Sequence, residues 1–186
     1  MITASTETRF FGLQAGTWAI DQSHSDVTFT VRHIIGKVRG QFTVFEGELT
    51  IAEDPFASAA RVTIDLSSVD TRNNDRDNHL RSSDFFSVED QPSMTFASTS
   101  VRNDGGSLVL VGDLTIKDVT KPVELAFEFL GVGQDPWGGT RVGFEATTTL
   151  SRKAWGIDFN IPLEGDKVVI GDRINVAITI EAVHQA

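Results

Sequence analysis

Residues 38–51, "VRGQFTVFEGELTI", hold the pattern on which the fold turns. Val38, Gly40, Phe42 and Val44 occupy even positions, and Phe45, Gly47, Leu49 and Ile51 then occupy odd ones. Period-two alternation collects one set of side chains on one face of a β-strand, and a shift of phase exchanges the faces. The flip at 44–45 therefore predicts a β-bulge or sharp bend inside a long extended run.

Working outward, the same period continues in both directions. Upstream, "SDVTFTVRH" (25–33) puts Val27, Phe29, Val31 and His33 on one face and Thr28, Thr30 and Arg32 on the other. Downstream, strands are predicted at Val62/Ile64/Leu66, Met94/Phe96, Leu108/Leu110/Leu114/Ile116, Val123/Leu125/Phe127/Phe129, Val142/Phe144/Ala146 and Ile174/Val176/Ile178/Ile180. Between them lie turn signals: "EDP" (53–55), "NDGG" (103–106), "KDVTKP" (117–122), "GQDPWGG" (133–139) and "EGD" (164–166). At least eight strands with short, hairpin-like connections follow. A sheet that long splits into a sandwich or closes on itself, because free edges invite aggregation. About eight strands is also the number at which a closed barrel can hold one small ligand. No repeat or linker is visible, so the expected organisation is a flexible N-terminal arm over 1–16 and one all-β domain over 17–186.

One segment breaks the alternation: "NNDRDNHLRSSDFF" (73–86). Asn74 is expected to N-cap a short helix over about 74–83, with Asp77 near its positive end and Asp77–Arg81 as an i, i+4 pair. The helix delivers Leu80, Phe85 and Phe86 at its far end, where a barrel would use them as a lid across one mouth.

Composition narrows the function. A net charge of −10 argues against nucleic acid and disfavours an anionic membrane surface. Lys37 and Arg39 come closest to a basic stripe and read as a solvated strand face. Without cysteine there is no disulfide, thiolate nucleophile or Cys-based zinc site; tyrosine is absent too, while thirteen phenylalanines supply apolar surface. The opening "MITASTETRFFGLQAG" lacks a charged start followed by about 7–15 apolar residues, and no run approaches the ~20 apolar residues of a membrane span. A cytoplasmic protein is expected.

Chemistry-bearing residues give weak signals. Asp75, Asp77 and Asp84 are spaced like ordinary solvated acids, and His79 with Asp75 at i−4 has no nucleophile-elbow serine to serve. His24, His33, His79 and His184 lack metal-ligand spacing, and "DTRNNDRDNHLR" lacks the central Gly and terminal Glu of a calcium loop. Neither a metal nor a cofactor is expected. Gly131, Gly133, Gly138 and Gly139 lie in a hairpin and are turn residues. The aromatic faces, with a further alternating stripe at Trp155, Ile157, Phe159 and Ile161, are open to two readings: a packed core or the wall of an apolar tunnel.

"TWAIDQSHSDVTFTVRH" (17–33), "VRGQFTVFEGELTI" (38–51), "RDNHLRSSDFFSVEDQPSMTF" (76–96), "GDLTIKDVTKPVEL" (112–125) and "RVGFEATTTLSRKAWGI" (141–157) resemble the YceI-like family in order and spacing. The segment 76–96 is the most specific part. One departure is Ala154, which precedes Trp155-Gly156 where the family carries an acidic residue. The resemblance implies an extended eight-stranded antiparallel β-barrel, lipocalin-like, with a short helical insertion near one mouth and an elongated apolar tunnel. It further implies a homodimer that binds polyisoprenoids or other long amphiphilic lipids and has no enzymatic activity. On this reading the tunnel is lined by Phe29, Val31, Phe42, Val44, Phe85, Phe86, Met94, Phe96, Leu114, Phe127, Phe144 and Trp155. His79 and Arg81 are candidate contacts for a pyrophosphate or quinone head group, unless Arg81 is tied to Asp77 or Asp84 and merely holds its loop. The expected function is binding, sequestration or transport of a long-chain isoprenoid lipid or isoprenoid quinone. The alternatives are an enzyme using His79, Asp84 and Arg81 on such a lipid, and a packed barrel for protein–protein contact.

Overall fold

The computed structural model describes residues 10–186. The expected alternation becomes eleven strand segments in one antiparallel sheet: β1 Gly16–Ile20, β2 Asp26–His33, β3 Gly36–Phe42, β4 Phe45–Ile51, β5 Ala59–Asp65, β6 Val69–Asp70, β7 Ser93–Asp104, β8 Ser107–Ile116, β9 Val119–Gln134, β10 Thr140–Ser151 and β11 Ile170–His184. The order β1-β4-β5-β7-β8-β9-β10-β11 closes because β1 pairs with both β4 and β11. Closure gives the expected eight-stranded antiparallel barrel and leaves no free edge in that ring.

The remaining segments, β2, β3 and β6, continue β1, β4 and β5 beyond three neighbouring breaks. β1 gives way to a 3-10 turn at Gln22–His24, β3 and β4 are separated at 43–44, and a 3-10 turn at Leu66–Ser68 separates β5 from β6. Side chains replace the ladder here. Gln22 Oε1 accepts from Phe45 N (3.1 Å), and Ser68 Oγ accepts from Val44 N (3.0 Å). Asp21 and Asp65 cap the two 3-10 turns through Ser23 N and Ser67 N. The phase flip in 38–51 is therefore a bend, but it falls at 43–44, so Phe42 and Phe45 both point inward and are buried. Val44 faces outward and is 48% exposed, which removes it from the tunnel wall.

The strands run alternately up and down, which puts two sets of connections at opposite ends. The helical end holds the β2–β3 and β8–β9 hairpins, the insertion 71–92 and the β10–β11 connection. The other end holds the β4–β5 connection, the β7–β8 and β9–β10 hairpins and residues 10–15. Helix α1 (Asn74–Arg81) begins where expected and ends two residues sooner, but Asn73, not Asn74, is the cap, its side chain accepting from Arg76 N at 2.9 Å. The expectation of a flexible arm falls partly on residues 1–9, outside those described. Within 10–16, Phe10 is buried against Phe56 and Phe129 and Leu13 is half-buried, while Phe11, Gly12, Gln14 and Ala15 are exposed.

Candidate functional site

Alternation within a closed barrel sends every second side chain to the interior. Here those side chains leave a cavity of about 320 Å³ bounded by forty residues, of which Thr28, Ser58, Thr148 and Arg152 are the polar ones. On β11 the lining runs from Ile170 to Ile180. At ~3.3 Å per residue and a strand tilt of about 40°, that is roughly 25 Å along the barrel axis. The cavity is long, narrow and hydrocarbon-walled.

Two glycines make room for rings that line it. A Cβ on Gly40 would lie 2.4 Å from Phe29 Cζ, and one on Gly112 2.4 Å from Phe96 Cζ. Each ring lines the cavity and sits against a strand position where a side chain would collide with it.

Apolar side chains line the cavity toward both ends. At one end Phe10 and Leu13 line the cavity beside Pro55. At the helical end, Leu80, Phe85 and Phe86 reach it from the insertion, and Trp155 and Ile157 from the β10–β11 connection. Trp155 donates its indole N–H to Leu114 O at 3.0 Å. The alternating stripe expected at 155–161 is not a strand. It is a 3-10 turn over Arg152–Trp155 followed by irregular chain, with Phe159 packed on His79 and Phe85 and Ile161 half exposed.

Eleven of the twelve residues expected on the wall are there, Val44 being the exception. Neither of the two candidate head-group contacts is. His79 Nε2 is paired with Asp84 Oδ2 at 2.7 Å, and its ring stands edge-on between Phe85 and Phe159. Arg81 donates to the carbonyls of Ser67 (2.8 Å) and Val69 (3.1 Å) and to Asn78 Oδ1 (3.0 Å). It holds its loop, as one reading had it, yet through backbone and not through Asp77 or Asp84. Asp77 is buried and accepts from Thr71 N and Thr71 Oγ1. The set His79, Asp84 and Arg81 therefore does not face the tunnel.

Sequence reasoning missed Arg152. It is 5% exposed, and its guanidinium donates to the carbonyls of Gly171 (2.9 Å), Ile157 (2.8 Å) and Phe159 (2.9 Å), with Ile170 O at 3.4 Å. Burial lowers its pKa, against the attraction of Asp172 and Asp158. The neighbouring Ala154 is exposed and touches none of this. Phe10 was legible only as part of the short apolar run "FFGL".

The other concentration of charge is on the outer wall. Asp21, His24 and Glu181 offer ligand atoms within 4.8 Å of one another, but Arg141 already occupies them. Its guanidinium meets Asp21 Oδ2 at 2.7 Å, Glu181 Oε1 at 2.6 Å and Asp135 Oδ2 at 2.8 Å. The arginine, helped by Ser23 and His24, holds the Asp21 carboxyl far below its ordinary value, and Asp135 is lowered by the same arginine and by Gly139 N–H.

The sequence model described as a YceI-like domain matches residues 18–182. Protein YceI of Escherichia coli O6:H1 is 41% identical over 175 residues, covering 92% of this chain and 88% of that protein. A UPF0312 protein of Ectopseudomonas mendocina is 41% identical over 176 residues, covering 92% of this chain and 89% of that one. Among solved structures, a Campylobacter jejuni YceI protein shares 30% identity at a TM-score of 0.68, covering 82% of this chain and 88% of that one. Burkholderia cenocepacia BcnA superposes with a TM-score of 0.73 at 20% identity, over 87% of this chain and 98% of that one. A polyisoprenoid binding domain from Saccharophagus degradans, implicated in plant cell wall breakdown, has a TM-score of 0.69 at 13% identity, over 90% and 98% respectively; these last two likenesses are of fold.

Proposed function

The chain belongs to the YceI-like family, and from that premise we propose that its tunnel binds a long-chain isoprenoid lipid or isoprenoid quinone, for sequestration or transport and not for conversion. One observation carries this reading: a cavity roughly 25 Å long whose forty lining residues include only four polar ones, with aromatic side chains among the lining toward each end. Such a wall fits a flexible hydrocarbon chain better than a compact polar substrate. Burying the ~5 carbons of one isoprene unit contributes on the order of 2–4 kcal/mol, so a few units exceed the cost of ordering the chain. That a structural neighbour from Saccharophagus degradans is a polyisoprenoid binding domain supports the same ligand class.

Affinity is assigned to the chain of the ligand and not to its head, because Arg81 is committed to peptide carbonyls and His79 to Asp84. The same pairing argues against the acid–base alternative. His79→Ala is expected to leave lipid binding within about twofold of wild type, since the residue lies behind Phe85 and off the wall. Among the described residues no helix is long and apolar enough to cross a membrane. The reading also makes the protein a homodimer of the cytoplasm, which analytical ultracentrifugation and cell fractionation test directly.

The deciding experiment is native mass spectrometry of the purified protein, followed by identification of the organic extract. A stoichiometric long-chain isoprenoid is the expected result. Protein that is empty and that refuses every isoprenoid offered from detergent micelles would overturn the reading.

A further inference from the structure

The two central residues of the β2–β3 hairpin are Ile34 and Ile35, flanked by the pair His33↔Gly36. Two-residue hairpin turns favour Gly or Asn where the chain enters left-handed backbone, and a β-branched residue there is disfavoured. Ile34 nevertheless sits at φ 51°. Neither side chain is compensated by packing, because Ile34 is 46% and Ile35 96% exposed. A strained turn with two uncovered isoleucines serves neither the turn nor the core.

The tip is not isolated. Ile34 N donates to Val169 O at 2.8 Å, Val169 N to Ile161 O at 3.1 Å, and Leu163 N to Lys167 O at 2.9 Å. Exposed Ile161 and Leu163 are thereby fixed beside Ile34 on the adjoining loop. Charge sets this corner apart from the rest of the molecule. Residues 27–45 contain no Asp or Glu, in a chain with 26 of them, yet contain Arg32, Lys37 and Arg39. Lys167 adds a cation from the neighbouring loop, against Glu164 and Asp166 at that loop's own turn; His33 also lies at the tip.

We propose that the Ile34–Ile35 tip, with Ile161 and Leu163 beside it, docks on an anionic lipid bilayer, the aliphatic side chains entering the headgroup boundary while Lys37, Arg39 and Lys167 face lipid phosphates and Arg32, donating to Ile34 O at 3.0 Å, braces the turn. Exposed aliphatics ringed by cations are the combination that binds such surfaces. The net charge of −10 repels the bilayer from other orientations, so the field itself turns the hairpin toward it. Directly beneath the tip, Val31 and Ile170 line the tunnel, so docking sets the helical end of the cavity against the membrane. The use of this surface, exchange of a lipid between bilayer and tunnel, rests on the function proposed above.

The test is flotation with vesicles of phosphatidylcholine alone or mixed with phosphatidylglycerol. Wild type should float with the mixed vesicles, less with phosphatidylcholine, and less as salt rises. Ile34→Gly with Ile35→Ser, a turn sequence better suited to this backbone, should reduce partitioning at least about tenfold with an unchanged or raised thermal midpoint. Lys37→Glu with Arg39→Glu should do the same without touching the turn. The proposal is overturned by wild type that ignores mixed vesicles, that binds phosphatidylcholine equally, or that is matched by either variant. It is also overturned if the isoleucine variant loses only self-association, because the tip then covers a second copy of the chain. Isoprenoid loading from detergent micelles separates the two ideas. Loading without flotation sinks the docking surface alone, whereas failure to load sinks the tunnel reading whatever the vesicles show.

Discussion

Arg152 carries a charge into a wall that is otherwise almost wholly hydrocarbon, and peptide carbonyls from both ends of the β10–β11 connection receive it. Arg152→Met keeps much of the volume and removes all of those donors, so about 2–4 kcal/mol of stability should be lost, as measured by urea unfolding. Lysine cannot restore it, because a single ammonium does not fork to the same carbonyls. Arg141 acts by charge instead. Asp21 and Asp135 are both depressed beside it, so their contribution is complete above the ordinary carboxylate range near pH 4 and is lost as pH falls below it. Arg141→Met should therefore flatten the fall of stability below about pH 4; an unchanged acid limb in denaturation curves would refute the assignment. At this scale the sequence was a partial guide. Alternation put Phe29, Phe42, Phe96 and Phe144 on inward faces, and the resemblance made those faces a wall; Phe144 keeps its face although the β9–β10 register shifts beside it. Val44 was misplaced because the bend falls at 43–44, and period-two counting cannot say which residue of a bend is the extra one. Arg152 gave no signal, since carbonyl acceptors have no letter in a sequence.

The insertion 71–92 shows what an element adds. Its helix was legible from the cap and the charge pattern, and so was its delivery of Leu80, Phe85 and Phe86 to the cavity. The connection 152–169 was not, because "AWGIDFNI" alternates like a strand while Gly156 at φ 72° ends a 3-10 turn and redirects the chain. Between elements, glycine and ring act as one unit. Gly40→Val on β3 must displace the cavity-lining Phe29 ring of β2, the one group its Cβ would meet. Isoprenoid binding should then fall at least about tenfold, by a larger factor than the accompanying loss of stability explains. Lipid titration alongside circular dichroism checks this; parallel loss of both would show core damage only.

At the scale of the whole molecule, strand count and period foresaw the one-sided aromatic faces but left a sandwich and a closed ring both open until the resemblance chose the ring, and they did not say whether the interior was full or hollow. Volume is a property of how far opposite walls stand apart, which no single strand records. Phe42→Asp should abolish lipid uptake, since it sets a charge in a hydrocarbon bore, and mass spectrometry after micelle loading will read that directly. The closed ring is also unequal around its circumference. β7 to β11 run unbroken for 10 to 16 residues, whereas the three other staves are each broken, and their breaks adjoin, joined by Gln22 and Ser68. A cylinder creased along one side does not swell evenly. It yields at the crease, so amide protons around 43–45 and 66–69 should exchange with deuterium well before those of β8 to β10, and that flank is where the wall gives way to admit the girth of a guest.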